Sequence, residues 1–326
     1  MTEQPSPPSR LLHFLAGFAR WSLGLLLAFW LLVAVAWGLL HGFIVPRIGE
    51  FRQQVQTQAE KALGVPVRIG GLAAQSEGLI PTLELSDVQL LDPMGREALR
   101  LPQVVVAVSP RSLLRWGFDQ LYIKAPERDV RRDESGPLHV AGLPITGSAG
   151  GDDNAAADWL FSQGEVVILH GKVRWTDELR EAPPLELTDV NLVLRNGAWR
   201  HRMRLDATPP EGWGERFSVR GEFREPIWST AGGNWQTWSG QIFVDLPNGD
   251  VSRLNVYADL GALTVGEGEG AVRAWVDVRR GKITGGVADV ALKQVRATLG
   301  NKLEPIALDS VKGRVGAQQF ENGFEV

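Results

Sequence analysis

The sequence predicts a mainly β protein hung from one N-terminal membrane helix, and three observations predict it. Trp21 to Pro46 contains no Asp, Glu, Lys or Arg. After Val65 apolar and polar residues alternate, most cleanly in Phe217-Ser218-Val219-Arg220-Gly221-Glu222-Phe223. A strand-like segment also recurs about every hundred residues. The expected architecture is an N-terminal transmembrane helix, then a short amphipathic helix, then an elongated, curled antiparallel β-sheet forming a repeating groove.

Residues 1–20 are expected to form a tail, disordered over the Pro- and Ser-rich MTEQPSPPS, with Leu11 to Ala19 extending the anchor or lying at the interface; a tail of this length before a first apolar run fits an N-terminus in the cytoplasm. Residues 21–46 are the spanning segment. As a helix they extend roughly 39 Å, more than the roughly 30 Å of a bilayer's hydrocarbon. Trp21, Trp30 and Trp37 lie along this anchor, and Trp21 is placed for headgroup level. A cleaved signal peptide is the rival, with Ala34-Val35-Ala36 as its cleavage site. The run is about twice the usual 7–15 residues of such a peptide, and cleavage would leave the apolar Trp37-Gly38-Leu39-Leu40 at the new terminus. Charge does not orient the helix, because Arg10 and Arg20 on one flank are balanced by Arg47, Arg52 and Lys61 on the other.

Residues 47–64 are a juxtamembrane helix. Ile48, Phe51, Val55, Ala59, Ala62 and Leu63 recur at helical steps, and Gly64 follows as a cap. The expected role of this helix is to cover the end of a sheet. A first β unit is expected at 65–146, a flexible linker at 147–158 (GSAGGDDNAAAD), and further β units at 159–326, with a short helix near Ala155 to Gln163. The connection is expected to begin near Ser135. Asn196-Gly197 and Asn248-Gly249 read as hairpin turns, and TPPEGWGE at 208–215 and GEGEG at 266–270 as further turns. With 37 Gly and 19 Pro, the body favours short strands over helices. The chain stops in what reads as an alternating strand at Phe324-Glu325-Val326, as if a longer protein continued.

The repeat carries the most structural information. Leu83-Glu84-Leu85-Ser86-Asp87-Val88-Gln89-Leu90 returns as Leu185-Glu186-Leu187-Thr188-Asp189-Val190-Asn191-Leu192, and more weakly as Val287-Ala288-Asp289-Val290-Ala291-Leu292. In each copy the apolar phase slips by one residue before Val. A slip in a flat strand would turn its apolar side outward, so a bulge or turn is expected at Ser86-Asp87 and Thr188-Asp189.

Chemistry is hard to find. A net charge of -4 and a pI near 5.8 exclude a dedicated nucleic-acid binder. The absence of cysteine is compatible with either side of a membrane. The five His residues, at 13, 41, 139, 170 and 201, have no metal-ligand spacing, and the last three are expected at strand ends. Asp152-Asp153-Asn154 and Glu267-x-Glu269 lack a calcium-loop pattern, and Gly266-x-Gly268-x-Gly270 lacks the context of a nucleotide site. The expectation is no enzyme, no cofactor and no metal. What remains is an apolar sheet face, which either closes on itself as a sandwich or stays open as a groove suited to acyl chains.

Val45 to Pro93 carries a resemblance. A helix ends there at Leu63-Gly64 and runs into Val67-x-Ile69-Gly70 and Leu83-x-Leu85-x-Asp87-Val88. Two further stretches agree, Asp158 to Gly164 continuing to Val173–Glu178, and Trp235 to Ile242. Together these resemble the N-terminal portion of the YhdP family of AsmA-like envelope proteins, over nearly the whole chain. The resemblance implies an inner-membrane, single-pass protein with its N-terminus in the cytoplasm and its body in the periplasm. It implies transport of phospholipid between inner and outer membranes through an apolar β groove, and no catalytic residue. The expected lining is Leu83, Leu85, Val88 and Leu90 from the first copy, Leu185, Leu187, Val190 and Leu192 from the second, and Val287, Val290 and Leu292 from the third. Expected partners are membrane phospholipids, with outer-membrane or periplasmic proteins beside them and no nucleic acid. The alternative is an envelope-assembly scaffold that pairs clients along its strand edges.

Overall fold

The computed structural model describes residues 10–39, 42, 45–75, 82–91, 95, 97–107, 120–136, 138–140, 143–145, 155–226, 234–257, 263–300, 303–320 and 323–325. The chain forms two compact units, Met1–Phe51 and Arg52–Val326. Residues 1–9 of the expected tail and 147–154 of the expected linker lie outside the described residues.

In the first unit, helix α1 (Arg10–Leu39) includes a 23-residue apolar stretch, Gly17–Leu39, long enough to cross a membrane. Its side chains are exposed, Trp21, Trp30 and Trp37 among them. A 3-10 turn, Val45–Phe51, follows. The helix thus starts earlier than residue 21, and Val45 and Pro46 fall in the 3-10 turn.

The second unit begins with α2 (Arg52–Leu63), shorter than expected at its start because the 3-10 turn takes those residues. It stops at Gly64, whose φ of 70° only glycine adopts freely and whose N–H bonds the Glu60 carbonyl. Sixteen strands then form one sheet among the described residues: β1 (Val67–Gln75), β2 (Thr82–Leu91), β3 (Glu97–Ala107), β4 (Gln120–Lys124), β5 (Glu127–Arg132), β6 (Leu138–Val140), β7 (Leu143–Ile145), β8 (Glu165–Asp177), β9 (Ala182–Asn196), β10 (Arg200–Thr208), β11 (Phe217–Arg224), β12 (Ser239–Asp250), β13 (Leu263–Arg279), β14 (Lys282–Leu299), β15 (Ile306–Phe320) and β16 (Gly323–Glu325). A third helix, α3 (Ala155–Ser162), precedes β8. The sheet is open, and its order is β1-β2-β3-β4-β8 and then sequential to β16, with β5 beside β8 and β6 and β7 beyond β5.

Four expectations change. The sheet is not wholly antiparallel: β4 and β5 lie parallel to β8, because the chain crosses over through α3 before starting β8. That pairing also joins the strands on both sides of the linker into one sheet. The segment after Ser135 holds strands β6 and β7 rather than only a loop. Asn196-Gly197 does turn the β9–β10 hairpin, but Asn248-Gly249 lies inside β12, where the register with β13 shifts and Gly249 bridges Gly214. The glycines at 266–270 lie inside β13, not in a turn. They are needed there for space, since a Cβ on Gly268 would sit 3.1 Å from Val251 and one on Gly270 would sit 2.2 Å from the Ala291 carbonyl oxygen.

The edge at β1 is finished by α2. Glu60 and Gln56 accept hydrogen bonds from the Val67 and Ile69 amides (3.3 and 3.4 Å), and Arg52 donates to the Gly70 carbonyl (3.0 Å). At the other side β15 pairs with β14 along its length, and with β16 only at Gln318–Phe320.

Candidate functional site

The site is built from rows of side chains that run across strands. Partners directly opposite in paired strands share a face. One row begins Leu72, Leu85, Val104, Ile123, Ile168, Leu192. It continues Leu205, Val219, Val244, Ala274, Ala288, Val315, apolar from β1 to β15. A neighbouring row on the same face includes Leu83, Val106, Leu121, Val166, Leu194 and Met203, and is apolar throughout. The opposite face is charged: Asp245–Arg273 (3.1 Å) and Asp289–Arg314 (2.6 Å) form a ladder of ion pairs on it.

A corner crosses this sheet. Asp87 in β2, Ala125 between β4 and β5, His170 in β8, Asp189 in β9 and Gln294 in β14 all take left-handed φ values between 45° and 53°. At the same level Gly70 and Gly71 of β1 leave room that a Cβ would fill, 2.9 Å from Asp87 Cβ and 2.4 Å from Ser86 Oγ. The corner lets residues three apart keep one face, so that Leu85, Val88 and Leu90 are all buried. The expected break therefore stands at Asp87 and Asp189. It does not stand at Asp289, whose strand is regular there and turns its corner five residues later at Gln294.

Cover divides the apolar face into three zones. Over β1–β4 and β8, Val55, Ala59 and Leu63 of α2 and Trp159 and Leu160 of α3 close a core around Val67, Val106, Leu121 and Val166. Over β13 and β14, Val251 from a 3-10 segment (Val251–Val256) packs with Val265, Leu292 and Val295. Between them, Leu192, Met203, Leu205, Val219, Ile242 and Val244 stay only partly buried.

The expected lining residues distribute accordingly. Leu85, Val88 and Leu90 lie in the helix-covered core with Leu83 packed against them. Leu185, Leu187 and Leu192 are partly buried and Val190 is buried, with Leu192 in the middle zone. Leu292 is buried beside Val251, and Val290 packs against that cluster. Val287 is a correction. It pairs with Trp275 on the opposite face and is 39% exposed, because no corner separates it from Val290, three residues on. The residues missed by the repeat are Met203, Leu205, Val219, Ile242 and Val244. Their signal was the strict alternation of β10 to β12, not a repeat.

Two polar groups interrupt the face at its margins. Arg132 donates to both carboxylate oxygens of Asp177, whose side chain is almost fully buried. His201 lies stacked on Trp238 with ring centroids 3.8 Å apart and Phe161 edge-on at 6.0 Å; its Nδ1 is 2.9 Å from Asn196 Oδ1 and its Nε2 3.4 Å from Glu225. Burial holds this imidazole below its ordinary pKa, against the opposing pull of the Glu225 hydrogen bond. His201 is the second residue of β10, near a strand end, but His170 sits at a mid-strand corner with Nδ1 2.7 Å from Asp189. Among the described residues no three His, Asp or Glu side chains gather to hold a metal ion.

Among the described residues the sheet has one continuous apolar face that is only partly buried in its middle, on a chain that also carries a membrane-length helix, which sets it apart from a globular domain with a sealed core. The sequence model of the YhdP family, described as YhdP protein, matches residues 1–326, and the chain belongs to that family. Membership fits an envelope-associated, AsmA-like protein. No curated protein and no solved structure matches the chain.

Proposed function

We propose that this protein conveys phospholipid between inner and outer membranes along the apolar face of its sheet, without catalysis. In this reading α1 is the inner-membrane anchor and the body lies in the periplasm. The observation that supports it is the middle of the apolar rows, only partly buried among the described residues. Leu192, Leu205, Val219 and Val244 are aligned across four adjacent strands, and a continuous partly exposed apolar strip on a soluble unit calls for an apolar occupant. Acyl chains suit it, since they need no hydrogen bonds and accept any aliphatic lining.

The test is photo-crosslinking in cells with radiolabelled phospholipid. A photoreactive residue at Leu205 or Val244 should capture lipid, and one at Arg204, which faces the other way, should not. Equal capture at both, or none at Leu205, would sink the proposal. A second reading, an assembly scaffold, draws on β15, whose outer edge from Ile306 to Ala317 has no paired strand among the described residues. A client strand crosslinking to β15, with no lipid at Leu205, would favour it.

A further inference from the structure

β10 and β11 end at the corner, while their neighbours continue past it. β10 stops at Thr208 and β11 starts at Phe217, whereas β9 extends down to Ala182 and β12 on to Asp250. The last β9–β10 pair is Thr188 with Thr208, so below it β9 has a strand partner on the β8 side only. This leaves a notch in the sheet, between Ala182–Leu187 and the end of β12, with no ladder of backbone hydrogen bonds across it among the described residues.

Two short segments fill the notch. The loop from Pro209 to Arg216 turns back onto β12 through Glu215 N–H to the Asn248 carbonyl and Asp250 N–H to the Trp213 carbonyl, both 2.9 Å. The 3-10 segment after β12 ends at Tyr257, whose ring meets Trp213 at 5.8 Å, and Arg253 lies 5.6 Å over Trp213. Both segments are therefore fixed to the β12 side. They reach β9 through two side chains: Arg216 donates to the Asp189 carbonyl (2.8 Å) and carboxylate (2.5 Å), and Tyr257 Oη donates to the Pro183 carbonyl (2.8 Å).

We infer that this notch is a side entrance to the apolar face for the acyl chain of a lipid, latched shut by Arg216 on Asp189 and Tyr257 on Pro183. The inference rests on the lipid reading above and adds where the chain goes in. Among the described residues, opening at the notch breaks side-chain contacts alone. Elsewhere in this region the strands are joined by backbone ladders whose opening would cost many hydrogen bonds together. The face exposed by opening is apolar, with Leu185 and Leu187 of β9 at the notch and Leu192 and Leu205 just above it. A lipid chain entering there reaches the partly buried strip without passing beneath α2, α3 or Val251.

The chain has no cysteine, so single thiols can report opening cleanly. In the full-length protein in nanodiscs, Leu187→Cys is labelled with a maleimide, beside Leu121→Cys as a control under the helices. Combining Tyr257→Phe with Arg216→Gln should speed labelling at 187 about fivefold per hydrogen bond lost and leave 121 unchanged. An unchanged rate at 187, or equal acceleration at both sites, overturns the latch. This arm contains no added lipid substrate and so decides the latch independently of the lipid reading. In the second arm, Pro183→Cys and Tyr257→Cys are joined by a cleavable bismaleimide, and lipid capture by a photoreactive group at Leu205 is followed in cells. Capture should fall several-fold when joined and recover on cleavage. Undiminished capture overturns the entrance. No capture even before joining overturns the lipid reading and the entrance with it.

Discussion

Asp87 and Asp189 stand in β2 and β9 with the same left-handed backbone, φ 51° and 45°, and each is anchored from a neighbouring segment, Asp87 by Arg100 at 2.6 Å and Asp189 by Arg216 at 2.5 Å. Asp is one of the few L residues that tolerates this conformation, and the cost of forcing others into it is local. Replacing Asp87 with Gly should therefore leave stability close to unchanged. Asp87→Val should lose about 1–2 kcal/mol, read from denaturant unfolding of the full chain in detergent.

The faces of β14 make a second contrast. Leu292 is buried beside Val251, while Val287 faces the charged ladder side. Leu292→Asp should cost about 3 kcal/mol or more through an unpaired buried charge, and Val287→Asp less than about 0.5 kcal/mol. Thermal melts of both variants check this, and a comparable loss from each would contradict the assigned faces.

Asp177 is a buried carboxylate, 1% exposed, paired with a partly exposed Arg132 at 23%. Removing the arginine strands the buried carboxylate, so Arg132→Met should cost about 3–5 kcal/mol. Arg132→Met with Asp177→Leu should recover much of that loss, because an apolar pair suits this face. The double-mutant cycle gives the comparison directly.

His201 should make the body acid-sensitive. Its folded pKa lies below the ordinary 6.5, so the unfolded chain binds the proton first as pH falls. The stability this neutral imidazole contributes is complete above about pH 6.5 and is lost on acidification below it. Melting temperature should drop between about pH 7 and pH 5, and drop less in His201→Gln. Parallel curves for the two proteins would show that another group is responsible.

Much of this architecture was legible locally, and the reason is periodicity. Strand alternation in Phe217–Phe223 and the phase slips at Asp87 and Asp189 are written in adjacent residues, so both faces and corners followed from them. The corner at Gln294 was legible in principle, since Leu292 and Val295 are also three apart, but the Asp289-Val290 likeness pointed to the wrong place. The parallel pairing of β4 with β8 depends on residues about forty-five apart and on a crossover, for which the local pattern has no mark. Nor does periodicity tell a covered apolar residue from an uncovered one. Leu85 and Leu192 belong to the same row, and only the helices over the first distinguish them. Gly266 to Gly270 misled because glycine signals a turn and a close approach alike.

The hydrogen bonds from Glu60 and Gln56 to β1 give the sheet a direction. A strand arriving at that margin finds donors already occupied, whereas one arriving at β15 meets, from Ile306 to Ala317, backbone with no paired outer strand among the described residues, with Leu308, Val311 and Val315 in phase with the apolar rows. The sheet is in this sense polarised, its β1 margin capped by helix side chains and its β15 margin presenting bare backbone to a further strand.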